Sequence, residues 1–243
     1  MLPRTLFRAD LILVPSHYVK TQIADLFPGV EEKVRVLALP LSDTVQNACS
    51  TKTRSNLSDD VEKIQKSGVM FSGDLGPKKN FGFLLECYAS LPVVVRQAHP
   101  LIVCGNRLGQ NRPYASLVQS LGLEDDVRFL GYLNEGDLTE WYRRARVLAY
   151  PSLVEGFGLP PLEAMAMGTP AIVSDRGSLP EIAGSYGAVV STLDTQEFGA
   201  ALLRLLTDDD WYSTLVARGR AATSQTCWKV YAQELLNLYE SLL

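Results

Sequence analysis

Residues 149–170 read AYPSLVEGFGLPPLEAMAMGTP, and the fold follows from this stretch. Val147-Leu148-Ala149-Tyr150 is a short apolar run of the kind that fills a parallel strand buried on both faces. Gly156 and Gly158 flank Phe157, so the backbone there bends and approaches a ligand without Cβ atoms in the way. Pro160 and Pro161 suit a first helical turn, where N–H groups have no intrahelical partner. The stretch therefore predicts a strand end, a glycine-bearing loop and a short helix. The positive end of that helix faces the loop, an arrangement suited to a phosphate. Glu155 and Glu163 bracket the loop with seven residues between them. A carboxylate only accepts hydrogen bonds, so such a pair suits sugar hydroxyls. Taken singly, Glu163 reads more simply as a complement to its helix dipole and Glu155 as a solvated acid; the whole string does not.

Outward from this stretch the same rhythm repeats. Val69-Met70-Phe71, Leu101 to Cys104, Val127 to Leu130, Ala171-Ile172-Val173 and Ala188-Val189-Val190 read as five further strands. Between them lie helices, one carrying Phe81, Leu84, Leu85 and Tyr88 on a single face, others near Pro113–Leu121 and Glu135–Ala145. Six strands alternating with helices predict an α/β fold, a Rossmann-like parallel sheet with helices on both faces. Ligands bind such sheets beyond the carboxyl ends of the strands, where the strand order switches. Gly73, Gly131 and Glu155 all fall at strand ends of that kind. The last fifty or so residues read as helical, with Trp211, Leu215, Trp228, Tyr231, Leu235, Leu238 and Tyr239 as packing residues.

Composition narrows the classes. An apolar content of 47% with 21% charged residues is that of a soluble globular chain. A net charge of −4 gives no reason to expect nucleic-acid binding. Cys49, Cys87, Cys104 and Cys227 are scattered without a C-x-x-C pair, and the first reading for Cys87 and Cys104 is free buried thiols in a reducing compartment. His17 and His99 form no metal-ligand pattern. No apolar run approaches a membrane span, and Arg8 with Asp10 interrupts the apolar start, so the chain reads as cytoplasmic, at most peripheral at the inner face of a membrane.

Glu155 to Glu163 followed by Ala164-Met165-Ala166-Met167-Gly168-Thr169-Pro170 resembles the E-x7-E segment of retaining GT-B glycosyltransferases, more narrowly family 4, the glycosyl transferases group 1. The resemblance implies that the first Glu contacts a donor sugar, that the loop amides meet sugar and phosphate, and that the second Glu holds the ribose. Gly73-Asp74-Leu75-Gly76-Pro77-Lys78-Lys79-Asn80 is similar to the family's glycine-to-lysine loop, in which Lys79 matches the donor-phosphate lysine and Lys78 replaces an arginine. On composition alone, Lys78 and Lys79 are a solvated helix start. Asp74, an acid beside that loop, departs from the pattern. Arg128-Phe129-Leu130-Gly131-Tyr132-Leu133 resembles the segment whose backbone pairs with a nucleobase, an ordinary strand end being the other reading. Ser174 to Gly184 resembles the loop and helix closing the donor pocket. The resemblance leans towards bacterial mannosyltransferase-like, surface-glycan branches. Its candidate catalytic residues are Lys79 and Glu155; its donor-binding candidates are Gly73, Lys78, Gly131, Tyr132, Leu133, Gly156, Phe157, Gly158, Leu159 and Glu163. It implies no metal and no cofactor beyond a nucleoside-diphosphate sugar as substrate.

Domain organisation follows the same comparison. Asp10 to Pro15, a helix over His17–Phe27 capped by Ser16, and Val34 to Leu39 form a β-α-β piece resembling the last unit of an N-terminal GT-B domain. The expectation is a remnant over 1–41, too short to bury a core of its own, a linker over 42–66 and a nucleotide-sugar-binding domain over 67–243. Ser42 to Asp60 is polar and aperiodic, which is why it reads as linker. The chain is then expected to be a donor-binding half, its acceptor site (for a glycan or a lipid-linked acceptor) supplied by a partner chain or a homo-oligomer. Three functional readings stand: a glycosyltransferase, a nucleotide-sugar-binding module without turnover, and a relative that folds and binds nothing.

Overall fold

The computed structural model describes residues 2–50, 66–105, 112–184, 186–192 and 194–242. Eight strands are present among them: β1 Ile12–Val14, β2 Val34–Val36, β3 Val69–Ser72, β4 Leu101–Cys104, β5 Val127–Gly131, β6 Val147–Tyr150, β7 Ala171–Ser174 and β8 Ala188–Val190. β1 and β2 pair in parallel as a separate two-stranded unit. The other six form one parallel sheet in the order β5-β4-β3-β6-β7-β8. The chain starts in the middle, runs out to β5, then returns to the middle at β6 and runs the other way. The switch lies between β3 and β6, and the loops leaving these two strands diverge to open a crevice there.

Side-chain alternation divides the core in two. Val69 and Phe71 of β3 and Val147 and Ala149 of β6 face one cluster, with Phe81, Leu84, Leu85 and Tyr88 of the Phe81–Ala89 helix and Phe198 and Leu202 of the Thr195–Thr207 helix. Met70 of β3 and Leu148 and Tyr150 of β6 face the other, with Tyr142 of the Glu135–Arg144 helix and Leu162 and Met165 of the Leu159–Ala166 helix. Every residue of β3, β4, β6 and β7 is buried, which is why these strands read as continuous apolar runs. Phe81 is wholly enclosed and meets Phe71 and Tyr114 at ring separations of 4.9 and 5.0 Å. Burial of one such side chain stabilises the fold by about 1.5–3 kcal/mol.

Three expectations need correction. Asp43–Ser50, inside the stretch read as linker, is a helix, in contact with the 135–144 and 159–166 helices; its mostly polar sequence fully buries a single side chain, Val45, with Ala48 and Cys49 packed partly beside it. Residues 51–65 of that stretch lie outside the described residues. The Trp228–Glu240 helix buries none of its residues, and Trp228 and Tyr239 are exposed rather than packed. Residues 1–41 do bury a small core: Leu6, Ile12, Val14, Val30 and Val34 close together because the Leu2–Arg8 helix folds over the two strands. Cys87 and Cys104 are buried free thiols, and burial pushes both up to about 12.

Candidate functional site

The loops after β3 and β6 meet at the switch. Gly73 takes φ +140° and Gly105 φ +96°, and a Cβ on Gly105 would stand 2.9 Å from the Gly73 nitrogen. Two glycines are needed for the ends of β3 and β4 to come this close. A 3-10 turn over Pro77–Lys79 follows, and Asn80 at φ 55° redirects the chain into the 81–89 helix. That turn drives Lys79 inward, to 8% exposure, while Lys78 stays exposed and its carbonyl accepts from the Leu153 amide at 2.7 Å. The two loops are thereby tied together.

Lys79 Nζ donates to Glu155 Oε1 at 2.5 Å and to the Tyr150 hydroxyl at 2.6 Å. Both partners come from the β6 end. The Lys79 and Glu155 side chains are only 11% and 15% exposed, so the pair attracts more strongly than a surface pair. Two of the three ammonium N–H groups are used, which leaves one for a further acceptor. The Lys79 stem runs along Gly73, its Cε 3.5 Å from where a Cβ on that residue would stand. Burial, reinforced by the Glu155 charge, raises the Tyr150 phenol, so it stays a protonated hydroxyl beside the ammonium. Asp74 turns its Oδ1 to its own loop, accepting the Gly76 amide at 2.7 Å.

The Glu155–Gly158 loop is held through its carbonyls. Ser178 Oγ donates to the carbonyls of Glu155 and Phe157 at 3.1 and 2.5 Å, and the Ser178 amide meets the Glu155 carbonyl as well. Ser16 Oγ donates to the Gly156 carbonyl at 2.7 Å. Among the described residues, no acceptor takes the N–H groups of Gly156, Phe157, Gly158 or Leu159. In a trans peptide the N–H points opposite to the carbonyl that precedes it, so each serine hydroxyl that fixes a carbonyl also fixes the direction of the amide after it. Leu159–Ala166 then begins with Pro160 and Pro161 in its first turn, adding its dipole to the same space.

Glu163 lies one turn into that helix and is half-buried. Burial raises its carboxyl to about 7, Glu135 adds to the rise, and a hydrogen bond with Tyr142 opposes it. The Tyr142 hydroxyl also lies 3.2 Å from Ser72 Oγ at the end of β3. Gly131, at the end of β5, is buried with φ +73° and its carbonyl accepts the Gly105 amide at 2.9 Å. Tyr132 projects outward at 76% exposure, whereas Leu133 packs into the second core cluster. Among the described residues, the crevice thus brings together the Lys79 ammonium, the carboxylates of Glu155 and Glu163 in different surroundings, and a row of amides without a protein acceptor.

Lys79, Glu155 and Glu163 lie within a stretch that a family description covers. The description "Glycosyl transferases group 1" matches residues 56–222. The chain belongs to the glycosyl transferases group 1. It is 33% identical to the O-antigen chain mannosyltransferase B of Escherichia coli over 99% of its own length and 63% of that protein. It is 26% identical to the serotype-specific mannosyltransferase WbdA of Escherichia coli, over 97% of its own length and 29% of that protein. Among solved structures it superposes on sucrose-phosphate synthase from Thermosynechococcus elongatus with a TM-score of 0.80 and 25% identity, covering 99% of this chain and 60% of the synthase. The chain therefore spans less than two thirds of each. The six-stranded sheet is the GT-B type of α/β arrangement expected for the family.

Within this glycosyl transferase chain the structure adds residues that motif reading passed over. Tyr150 reads as strand filler, yet a tyrosine closing a buried strand must find a partner for its hydroxyl, and here it is Lys79. Tyr142 adjoins Glu163, and its hydroxyl meets Ser72. Ser16 carries no signal beyond helix capping, and Ser178 none beyond its place in the Ser174–Gly184 segment.

Proposed function

We propose that the crevice binds a nucleoside-diphosphate sugar and that the chain is the donor-binding half of a retaining glycosyltransferase moving a hexose, mannose first among them. The carrying observation is the convergence of Lys79, Glu155 and the unpaired loop amides at the β3/β6 switch. Lys79 neutralises the departing diphosphate as a point charge, and the loop amides and the 159–166 helix dipole share that charge. This positive set takes the part a metal ion has in other sugar transfers, so the proposed reaction is metal-independent. Glu155 orients the sugar hydroxyls, and Glu163 holds the ribose diol. In the absence of donor Glu155 neutralises Lys79; an arriving diphosphate takes over that ammonium and releases the carboxylate towards the sugar.

The acceptor, a glycan or a lipid-linked one of surface polysaccharide, is held by the part of the protein that residues 1–41 begin to resemble, in the same polypeptide or a partner chain. Names of the mannosyltransferase relatives support mannose and the O-antigen setting. The exposed Phe7 and Leu26 on the 1–41 unit supply apolar surface for such a contact.

The test joins this chain to the acceptor-side region of its mannosyltransferase relative, in the presence of EDTA, with GDP-mannose and a mannoside acceptor. The reading expects a product with the anomeric configuration of the donor. An inverted product, or transfer that depends on added metal, overturns it.

A further inference from the structure

Residues 1–41 lie outside the stretch matching the family, yet they reach into the candidate site. Ser16 is 2% exposed and closes β1 onto the His17–Leu26 helix. Its hydroxyl serves two groups: it accepts the Val19 amide at 3.2 Å as a helix N-cap, and it donates to the Gly156 carbonyl at 2.7 Å. The serine is itself fixed from the other side. Glu181 of the Leu179–Ala183 helix accepts the His17 amide at 2.8 Å and the Tyr18 amide at 2.6 Å, one carboxylate oxygen for each. Val19 completes the contact, with Cγ2 3.6 Å from the point where a Gly156 Cβ would stand.

From this we infer that Ser16 is a positioning residue for the donor loop, contributed by the N-terminal unit, and that it sets the direction of the Phe157 amide. The reasoning runs through one peptide plane. Holding the Gly156 carbonyl fixes the Gly156–Phe157 peptide, and a trans peptide carries its N–H opposite to that carbonyl. Ser178 fixes the peptides on either side through the carbonyls of Glu155 and Phe157. Gly156, flanked by a second glycine two residues on, has little steric preference of its own, so without Ser16 the middle peptide is free to rotate. Three consecutive carbonyls bound to serine hydroxyls fix three consecutive amides, of Gly156, Phe157 and Gly158, none of which has a protein acceptor among the described residues. The middle one depends on a residue 140 positions away in sequence. Displacing the N-terminal unit would therefore loosen the donor loop, which couples the loop to whatever that unit contacts. The inference rests on the donor-site reading above.

The experiment compares wild type, Ser16→Ala, Ser16→Thr and Ser178→Ala. Calorimetric titrations with GDP and GMP measure what the β-phosphate adds to affinity. Hydrogen exchange, without ligand, follows the peptide covering 153–159. Ser16→Ala is expected to lose roughly 3–10-fold of the diphosphate-over-monophosphate preference, with GMP affinity unchanged, and Ser16→Thr to restore it. Exchange across 153–159 is expected to rise in Ser16→Ala and to return to the wild-type rate in Ser16→Thr. An equal loss for GDP and GMP, or unaltered exchange in Ser16→Ala, overturns the assignment to Ser16. Wild-type protein that binds none of GDP, UDP and ADP overturns the donor-site reading itself, whatever the exchange shows; where UDP or ADP is the one bound, the comparison is made with it and its monophosphate.

Discussion

Lys79 Nζ lies 2.5 Å from Glu155 Oε1, across the crevice between the ends of β3 and β6. A cation and a carboxylate that both belong to the proposed donor site are thus each other's partner in the absence of ligand. A diphosphate must compete with Glu155 for the ammonium, and removing either residue has opposite consequences. Lys79→Ala is expected to weaken nucleoside-diphosphate binding roughly 10–100-fold, the worth of a charge-assisted hydrogen bond. Glu155→Gln is expected to bind the free diphosphate more tightly than wild type and the diphosphate sugar no better, because a competing charge and a sugar ligand go together. Calorimetry at low salt separates these. Weaker diphosphate binding by Glu155→Gln contradicts the competition.

Glu163 makes stability depend on pH in a stated direction. Its carboxyl is raised by burial from 4.5 to about 7, so folding favours the protonated form. This stabilisation is complete below about pH 4.5 and is lost as pH climbs to about 7. The loss is on the order of 3 kcal/mol from a shift of this size. Glu163→Gln keeps the shape and cannot ionise. Its melting temperature is expected to match wild type at pH 4.5 and to exceed it by several degrees at pH 8. Equal differences at both pH values contradict the shift.

The same ionisation bears on ligand binding. A nucleoside-diphosphate sugar does not titrate near neutrality, so any change in its affinity between pH 6 and pH 8 comes from the protein. Affinity is expected to rise over that interval as Glu163 becomes a carboxylate able to accept both ribose hydroxyls. Glu163→Gln is expected to show a flat profile.

Gly177 is expected to be intolerant of a side chain. It takes φ +62°, and a Cβ there would stand 2.7 and 2.8 Å from the Glu155 carbonyl oxygen and nitrogen. Gly177→Ala has to push the Glu155 backbone away. Thermal melting should fall by about 1–3 kcal/mol of stability, and ligand affinity should fall with it. Arg96 provides the contrast. Its Nε pairs with Asp126 at 2.8 Å and its Nη1 donates to the carbonyls of Ala89 and Leu91, all remote from the crevice. Arg96→Ala should cost about 3 kcal/mol of stability, yet leave nucleotide affinity within twofold.

Much of this was legible in the residues. The six strands stand where the sequence predicts them, and β3, β4, β6 and β7 are the plainest, because a strand buried on both faces needs a continuous apolar run. The Phe81, Leu84, Leu85 and Tyr88 face is fully buried, as its spacing demands. What could not be read were relationships rather than elements. Lys79 and Glu155 are 76 positions apart, and only the strand switch brings them together. Asp43–Ser50 gives too short a signal, since its residues are mostly polar and its apolar side is only Val45, Ala48 and Cys49. Ser16 is legible as a helix cap; its second bond, to Gly156, depends on where the N-terminal unit sits on the main sheet. The exposed Trp228 and Tyr239 mislead for the opposite reason, since large apolar side chains predict burial without naming a partner.

One measurement addresses the central claim directly: calorimetric titration of the chain with GDP, UDP and ADP and their common sugars, in EDTA, repeated with Lys79→Ala and Glu163→Ala. The account predicts micromolar binding of one nucleotide and its sugar, lost or weakened at least tenfold in both variants. A folded chain that binds none of them, or that binds one with an affinity indifferent to Lys79 and Glu163, contradicts the account.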